Sequence, residues 1–159
     1  MIFAYGSNMH LADLNRWLQE QGGGVVGQFG VKVGRLLNYR LAWNYYSVSR
    51  GGGAANVVYA PRDQVWGILL PSDQGLLELI DQKEGHPVRY SRGDTPLLIH
   101  ARAASSTTQA WVYRVTPEYE RNEPCLPTQA YLDLVRESAL HWGFDSNYVK
   151  RLNHQQTCD

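Results

Sequence analysis

The chain has 159 residues, 43% of them hydrophobic, and 15 Lys and Arg against 15 Asp and Glu, for a formal net charge of zero at pH 7. That length suits a single domain with room for a core, and the balanced charge supplies no long-range field to hold nucleic acid or an anionic membrane. Two cysteines without metal or redox spacing, Cys125 and Cys158, together with the lack of a basic leader or long apolar segment behind Met1-Ile2-Phe3, predict a cytoplasmic protein whose partner is a small molecule, with no nucleic acid and no membrane.

Phe3-Ala4-Tyr5-Gly6-Ser7-Asn8 is an apolar run that stops in a Gly-Ser-Asn turn. Leu11, Leu14 and Leu18 share one face at three- and four-residue spacing, which predicts a helix with Asn8 as its N-cap and Asp13 in its early turns. Strand, tight turn, helix is an order that aims backbone N–H groups, a hydroxyl and an amide at one point, suited to a carboxylate or a developing oxyanion. Ordinary helix capping accounts for the same residues. Gly6 is expected to supply backbone angles closed to Ala and to let a ligand approach the main chain.

After a Gly22-Gly23-Gly24 turn the pattern predicts strands over 25–33, 39–46, 55–59 and 65–70, with Gly51-Gly52-Gly53 as a flexible turn that brings Asn56 past the site. Pro71-Ser72-Asp73 starts a helix that Gly85 ends, and Leu76, Leu77 and Ile80 form its apolar stripe. Glu84 continues that stripe at the negative end of the helix dipole, where both the dipole and apolar neighbours disfavour its charged form, as a general base near neutrality requires. A Glu on a frayed last turn is the plainer alternative.

Further strands are predicted over 97–103 and 110–115. Thr128 caps a helix running to about Trp142, with Tyr131, Val135, Ser138 and Trp142 on one stripe and Gly143 as its stop. A short helix over 147–152 closes a single domain of residues 1–153, and 154–159 read as a frayed tail. Strands and helices do not alternate strictly, which favours α+β over a doubly wound parallel sheet.

Several apparent motifs fail on context. Gly22-Gly23-Gly24-Val25-Val26-Gly27 has dinucleotide-loop spacing but follows a helix and precedes a strand, the reverse of the useful order. Ser7 lacks a Gly-x-Ser-x-Gly elbow, so it is assigned a donor role and not a nucleophilic one. His10, His86, His100, His141 and His154 show no metal-ligand spacing, and no Lys-Ser/Thr follows Gly51-Gly52-Gly53, so neither a metal nor a cofactor is expected.

The opening Phe3-Ala4-Tyr5-Gly6-Ser7-Asn8, then Gly51-Gly52-Gly53-Ala54-Ala55-Asn56, Gln64-Val65-Trp66-Gly67, Asp81-Gln82-Lys83-Glu84-Gly85 and Pro127-Thr128-Gln129-Ala130-Tyr131 stand in the order seen in the γ-glutamylcyclotransferase family, which the chain resembles over nearly its whole length. The resemblance implies a curled, barrel-like mixed sheet with flanking helices. It also implies cofactor-free conversion of a γ-glutamyl amino acid or amine into 5-oxoproline and the released amine. By the same resemblance Phe3, Ala4, Tyr5, Gly6, Ser7 and Asn8 form the loop that holds the glutamyl part, Glu84 is the acid/base residue, and Tyr90, Tyr113 and Tyr131 line or support the pocket. Asn8 is similar to the branch acting on simpler γ-glutamyl compounds, whereas His86-Pro87-Val88-Arg89, on the acceptor side, departs from the family's commonest form. The rival function is a non-catalytic binding module for γ-glutamyl or amino-acid-like ligands, which product formation separates from an enzyme.

Overall fold

The apolar triplet at the start of the chain forms strand β1 (Ile2–Ala4), with all three side chains buried. In the computed structural model, which describes residues 1–102 and 106–159, β1 leads into one 3₁₀ turn over Ser7–Met9 and then helix α1 (Leu11–Glu20). The α1 cap is His10 and not Asn8: the His10 ring nitrogen accepts from the Asp13 N–H at 3.2 Å, because at Asn8 the chain is still in the tighter turn. Leu14 and Leu18 are fully buried, as their spacing requires.

The four strands expected between residues 25 and 70 are two long ones, β2 (Lys32–Ser47) and β3 (Gly52–Leu70), paired antiparallel from Lys32 opposite Leu69 to Ser47 opposite Gly52. Residues 25–31 are not strand. The Asn15 side chain takes the place of a neighbouring strand there, accepting from the Val26 N–H at 2.7 Å and donating to the Val26 carbonyl at 2.9 Å. The hairpin is continuous through two register shifts, one at the break expected between 33 and 39 and one at Ala42/Tyr45 inside the expected strand 39–46, irregularities that re-aim a strand without ending it. Asn38 and Arg62 take φ of 62° and 70° at one register shift, where the Asn38 side chain accepts from the Arg62 N–H at 3.1 Å. At the other shift, the Trp43 and Asn44 carbonyls accept from the N–H groups of Cys125 and Arg121 at 2.6 and 2.7 Å.

Helix α2 (Gln74–Glu84) starts at the Asp73 cap and ends at Gly85, which takes the left-handed φ of 69° that favours glycine there. Four short strands follow: β4 (Tyr90–Ser91), β5 (Leu97–Ala101), β6 (Thr107–Ala110) and β7 (Arg114–Val115). Residue 103, the expected end of the fifth strand, lies outside the described residues, and the strand expected over 110–115 is split between the end of β6 and β7. The main sheet is antiparallel in the order β1-β3-β2-β5-β6, with β4 and β7 as a separate pair. Trp111, directly after β6, bridges Ile2 in parallel, and the Phe3 N–H donates to the Trp111 carbonyl at 2.9 Å while the Trp111 N–H donates to the Met1 carbonyl at 3.1 Å. The outer strands of the sheet thus meet, and the sheet curls closed in the α+β fold expected.

Thr128 caps α3 (Gln129–His141), which buries Tyr131, Leu132, Val135, Ser138 and Ala139, and α4 (Ser146–Asn153) packs behind it. Where a frayed tail is expected, the Cys158 N–H donates to the Pro127 carbonyl at 3.0 Å and the Asp159 carboxylate accepts from the Gln129 N–H at 2.7 Å, which ties these residues to the start of α3. No helix among the described residues is long and apolar enough to cross a membrane.

Two residues of the glycine-rich segment have structural roles that differ from the expected ones. Asn56 is fully buried inside β3 and holds four partners, donating to Asn44 and Glu120 and accepting from the Val57 and Val115 N–H groups. It pins the sheet to β7 and does not line the pocket. A Cβ on Gly53 would stand 1.8 Å from the Cys125 carbonyl, so this glycine is a close-packing point and not a flexible hinge. Gly53→Ala is expected to force the 125–128 segment off the sheet, at a cost of at least the ~1–3 kcal/mol typical of overpacking, read as a lowered denaturant midpoint. An unchanged midpoint would show that the segment yields freely.

Candidate active site

The end of β1, the 3₁₀ turn, the last turn of α2, β3, β4 and the first turn of α3 converge on one cavity of about 120 Å³. All ten residues singled out from the sequence line it: Phe3, Ala4, Tyr5, Gly6, Ser7, Asn8, Glu84, Tyr90, Tyr113 and Tyr131. Tyr45, Arg50, Lys83 and Arg89 line it as well; Lys83 and Arg89 stand in segments noted in the sequence without a role, and nothing in the sequence singles out Tyr45 or Arg50.

Glu84 is half-buried on the last turn of α2, and the Asn8 amide donates to its Oε1 at 2.7 Å. The amide that was expected to cap a helix thus orients the carboxylate, across 76 residues of sequence. Asn8 Oδ1 is enclosed and has no partner among the described residues, so the bond to Glu84 is the side chain's one engagement there. The N–H groups of Gly6, Ser7 and Asn8 have no backbone acceptor among the described residues, which leaves three free donors on residues that line the cavity.

The pocket tyrosines are neutral near pH 7, since burial raises the pKa of each of Tyr5, Tyr90, Tyr113 and Tyr131, and nearby carboxylates reinforce the shift. Three of the four protons are already spent inside the fold. Tyr5 donates to the Tyr113 carbonyl at 2.5 Å, Tyr90 to the Ala55 carbonyl at 2.9 Å, and Tyr113 to Asp81 Oδ1 at 2.5 Å. Tyr131 instead accepts, from the Ala55 N–H at 3.3 Å, and so keeps its own proton for a ligand. Gly6 has φ of −117°, which other residues adopt, so the reason for glycine is space. A Cβ there would press on the Tyr131 hydroxyl at 3.1 Å and on Ala55 at 3.3 Å.

Arg50 pairs with the largely buried Asp13 at 2.9 Å, and its guanidinium lies 5.4 Å from the centre of the Tyr131 ring. Asp13 also pairs with Arg16. Burial works against the Asp13 charge, but the Arg50 hydrogen bond and the surrounding cations outweigh it and hold the carboxyl below its ordinary range. Lys83 lies over the Trp17 ring at 5.7 Å, and burial lowers its pKa. Behind the pocket, Arg92 grips Asp81 through Nε at 2.9 Å and Nη2 at 3.1 Å while Tyr113 donates to the same carboxylate, which locks β7 to α2.

Residues 2–133 match the family described as "Gamma-glutamyl cyclotransferase, AIG2-like". Among solved structures, a gamma-glutamyl cyclotransferase superposes with a TM-score of 0.80 at 20% identity, covering 99% of this chain and 88% of that one. An uncharacterized Homo sapiens protein gives 0.78 at 21% identity with the same coverage, and YkqA from Bacillus subtilis gives 0.70 at 15% identity, covering 98% of this chain and 55% of that one. At these identities the likeness establishes the fold. No curated protein sequence matches the chain.

Tyr131→Phe is expected to keep the ring's edge-on packing against Trp43 and remove both a donor toward the cavity and the acceptor of the buried Ala55 N–H, weakening ligand engagement by about 0.5–1.5 kcal/mol for a neutral partner and more for a charged one, with the thermal midpoint lowered by the ~1–3 kcal/mol cost of one orphaned donor. A fall in the midpoint with normal ligand binding would make Tyr131 a core residue only. The Asp81 network sets an acid dependence. Burial opposes the charge of Asp81, yet Arg92 and Tyr113 hold its folded pKa below the unfolded value of about 3.9. Its stabilisation is therefore full above that unfolded value and is lost as pH falls through the depressed folded one. Asp81→Asn should lower the melting temperature at pH 7, and the gap to the parent should shrink below about pH 4. A constant gap across that range would remove Asp81 from the acid response.

Proposed function

Because the chain belongs to the gamma-glutamyl cyclotransferase, AIG2-like family, we propose that it converts a γ-glutamyl amino acid or amine into 5-oxoproline and the free amine, with Glu84 as the proton carrier. The observation that carries this is the Asn8–Glu84 pair at 2.7 Å, which joins the glycine-containing loop to the carboxylate at one cavity.

In a γ-glutamyl compound the attacking α-amine and the γ-carbonyl belong to the same residue, so the enzyme needs no nucleophile of its own. Folding that residue for attack supplies the orientation, worth up to ~7–11 kcal/mol in the best intramolecular cases. The amine reaches the site as an ammonium. Glu84 takes one proton from it, the amine nitrogen closes on the γ-carbon, and the tetrahedral oxyanion develops beside the N–H groups of Gly6, Ser7 and Asn8. As the bond from the γ-carbon to the leaving nitrogen breaks, Glu84 returns a proton to that nitrogen. The second proton of the attacking nitrogen follows the same path, which leaves a neutral lactam and a protonated amine. Asn8 holds Oε1 of Glu84, so Oε2 is the oxygen that meets the ammonium. Arg50 and the free Tyr131 proton suit the substrate α-carboxylate.

Glu84→Gln keeps an oxygen for Asn8 and the volume of the side chain while deleting the proton carrier. The variant is expected to fold and to bind γ-glutamyl compounds, with kcat for 5-oxoproline release lowered by about 10²-fold or more, measured by mass spectrometry over a γ-glutamyl panel. Turnover by Glu84→Gln close to the parent's would remove Glu84 from the mechanism. Binding by the parent protein without any 5-oxoproline would favour the non-catalytic binding module.

A further inference from the structure

A second cavity, of about 640 Å³, shares Tyr45, Ser47, Ser49 and Arg89 with the candidate active site, so the two form one continuous surface. Arg89 stands at the seam. Its side chain lies flat on Gly85, the residue after Glu84, so closely that a Cβ there would come 2.2 Å from Nε, and Nη2 donates to the Lys83 carbonyl at 3.3 Å. The guanidinium is therefore held one residue from the proposed proton carrier, yet no carboxylate lies within ion-pair distance of it among the described residues. By contrast Arg50, the other guanidinium of the site, is already paired with Asp13.

The walls beyond the seam are aromatic. Tyr45 contacts the Tyr119 ring at 6.3 Å, and Tyr46 and Tyr119 are both partly open to solvent, with Arg121 lying 5.0 Å over Tyr46. Glu118 and Glu120 line the same groove, Glu120 being engaged by the buried Asn56 amide. An unpaired guanidinium next to the reacting centre, opening onto tyrosine faces, is a site for a molecule with a carboxylate close to the scissile bond and a flat apolar body further out.

We propose that this groove holds the leaving amine, that Arg89 binds the amine's own carboxylate, and that the preferred substrates are γ-glutamyl conjugates of aromatic amino acids. The proposal rests on the cyclotransferase function. Arg89 is here a specificity residue and takes no part in proton transfer.

The test compares γ-glutamyl-phenylalanine, γ-glutamyl-phenylalaninamide and γ-glutamyl-alanine as substrates of the full chain and of Arg89→Gln, with 5-oxoproline release as the readout. The carboxylate and the amide differ in charge and scarcely in shape. For the parent, kcat/KM should favour the carboxylate over the amide by about tenfold or more, the scale of one hydrogen-bonded charge pair, and should favour phenylalanine over alanine. In Arg89→Gln the carboxylate-to-amide ratio should collapse toward one. Because it is a ratio within one protein, a general loss of stability cancels from it. Equal use of carboxylate and amide by the parent, or a ratio unchanged in Arg89→Gln, would overturn Arg89 as the carboxylate anchor. Equal use of phenylalanine and alanine would overturn the groove as the leaving-group seat. No 5-oxoproline from any of the three would overturn the cyclotransferase function itself, and the leaving-group proposal with it.

Discussion

The geometry of the site depends on the insertion of β1 between two partners. Three residues with wholly buried side chains pair with β3 on one side and bond to Trp111 on the other, so their backbone is satisfied on both edges and the curled sheet closes around them. A strand fixed in this way delivers the residues that follow it, Tyr5 to Asn8, to one place at the mouth of the sheet. Gly6 then lets the turn approach the Tyr131 hydroxyl, and Asn8 reaches the end of α2.

The polar chemistry of the cavity follows from burial acting on groups of different kinds. Desolvation keeps the tyrosine hydroxyls protonated, and the fold consumes three of those protons in bonds that hold β3, β7 and α2 in position. Tyr131, which among the described residues accepts and does not donate, is the exception among them and lines the cavity. Charged groups are treated differently. Asp13 and Asp81 are each gripped by arginines, which outweighs the cost of partial burial and turns both carboxylates into struts. Glu84 has a neutral amide as its partner, so its charge remains available to a ligand.

In the proposed reaction the cavity and the groove beyond it divide the demands of a γ-glutamyl substrate. The small cavity, lined by β1, α2 and α3, is the proposed seat of the part common to all such compounds. The larger groove is lined by the end of β2 and the turn after it at 45–49, by the loop at 118–121 and by Arg89. Loops of this kind change without disturbing a sheet, which suits them to the variable part of a substrate.

The sequence by itself determined those elements whose cause is local. Helix α2 begins at Asp73 and ends at Gly85, α3 begins at Thr128, and Gly143 stops it at φ of 62°, because caps and left-handed glycines act within a few residues. The ordered motif blocks hold eight of the ten candidate residues, the family resemblance adds Tyr90 and Tyr113, and all ten line one cavity. Tertiary structure decided what depends on partners distant in the chain. Asn8 looks like a helix cap until Glu84 is brought beside it, and Asn56 looks like a pocket residue until Asn44, Glu120 and Val115 surround it. Residues 25–31 have the β-rich composition of a strand, but the Asn15 side chain claims the backbone of Val26. Arg50 and Arg89 carry the same charge in the sequence, and only the fold gives one of them a buried aspartate and leaves the other facing an open groove.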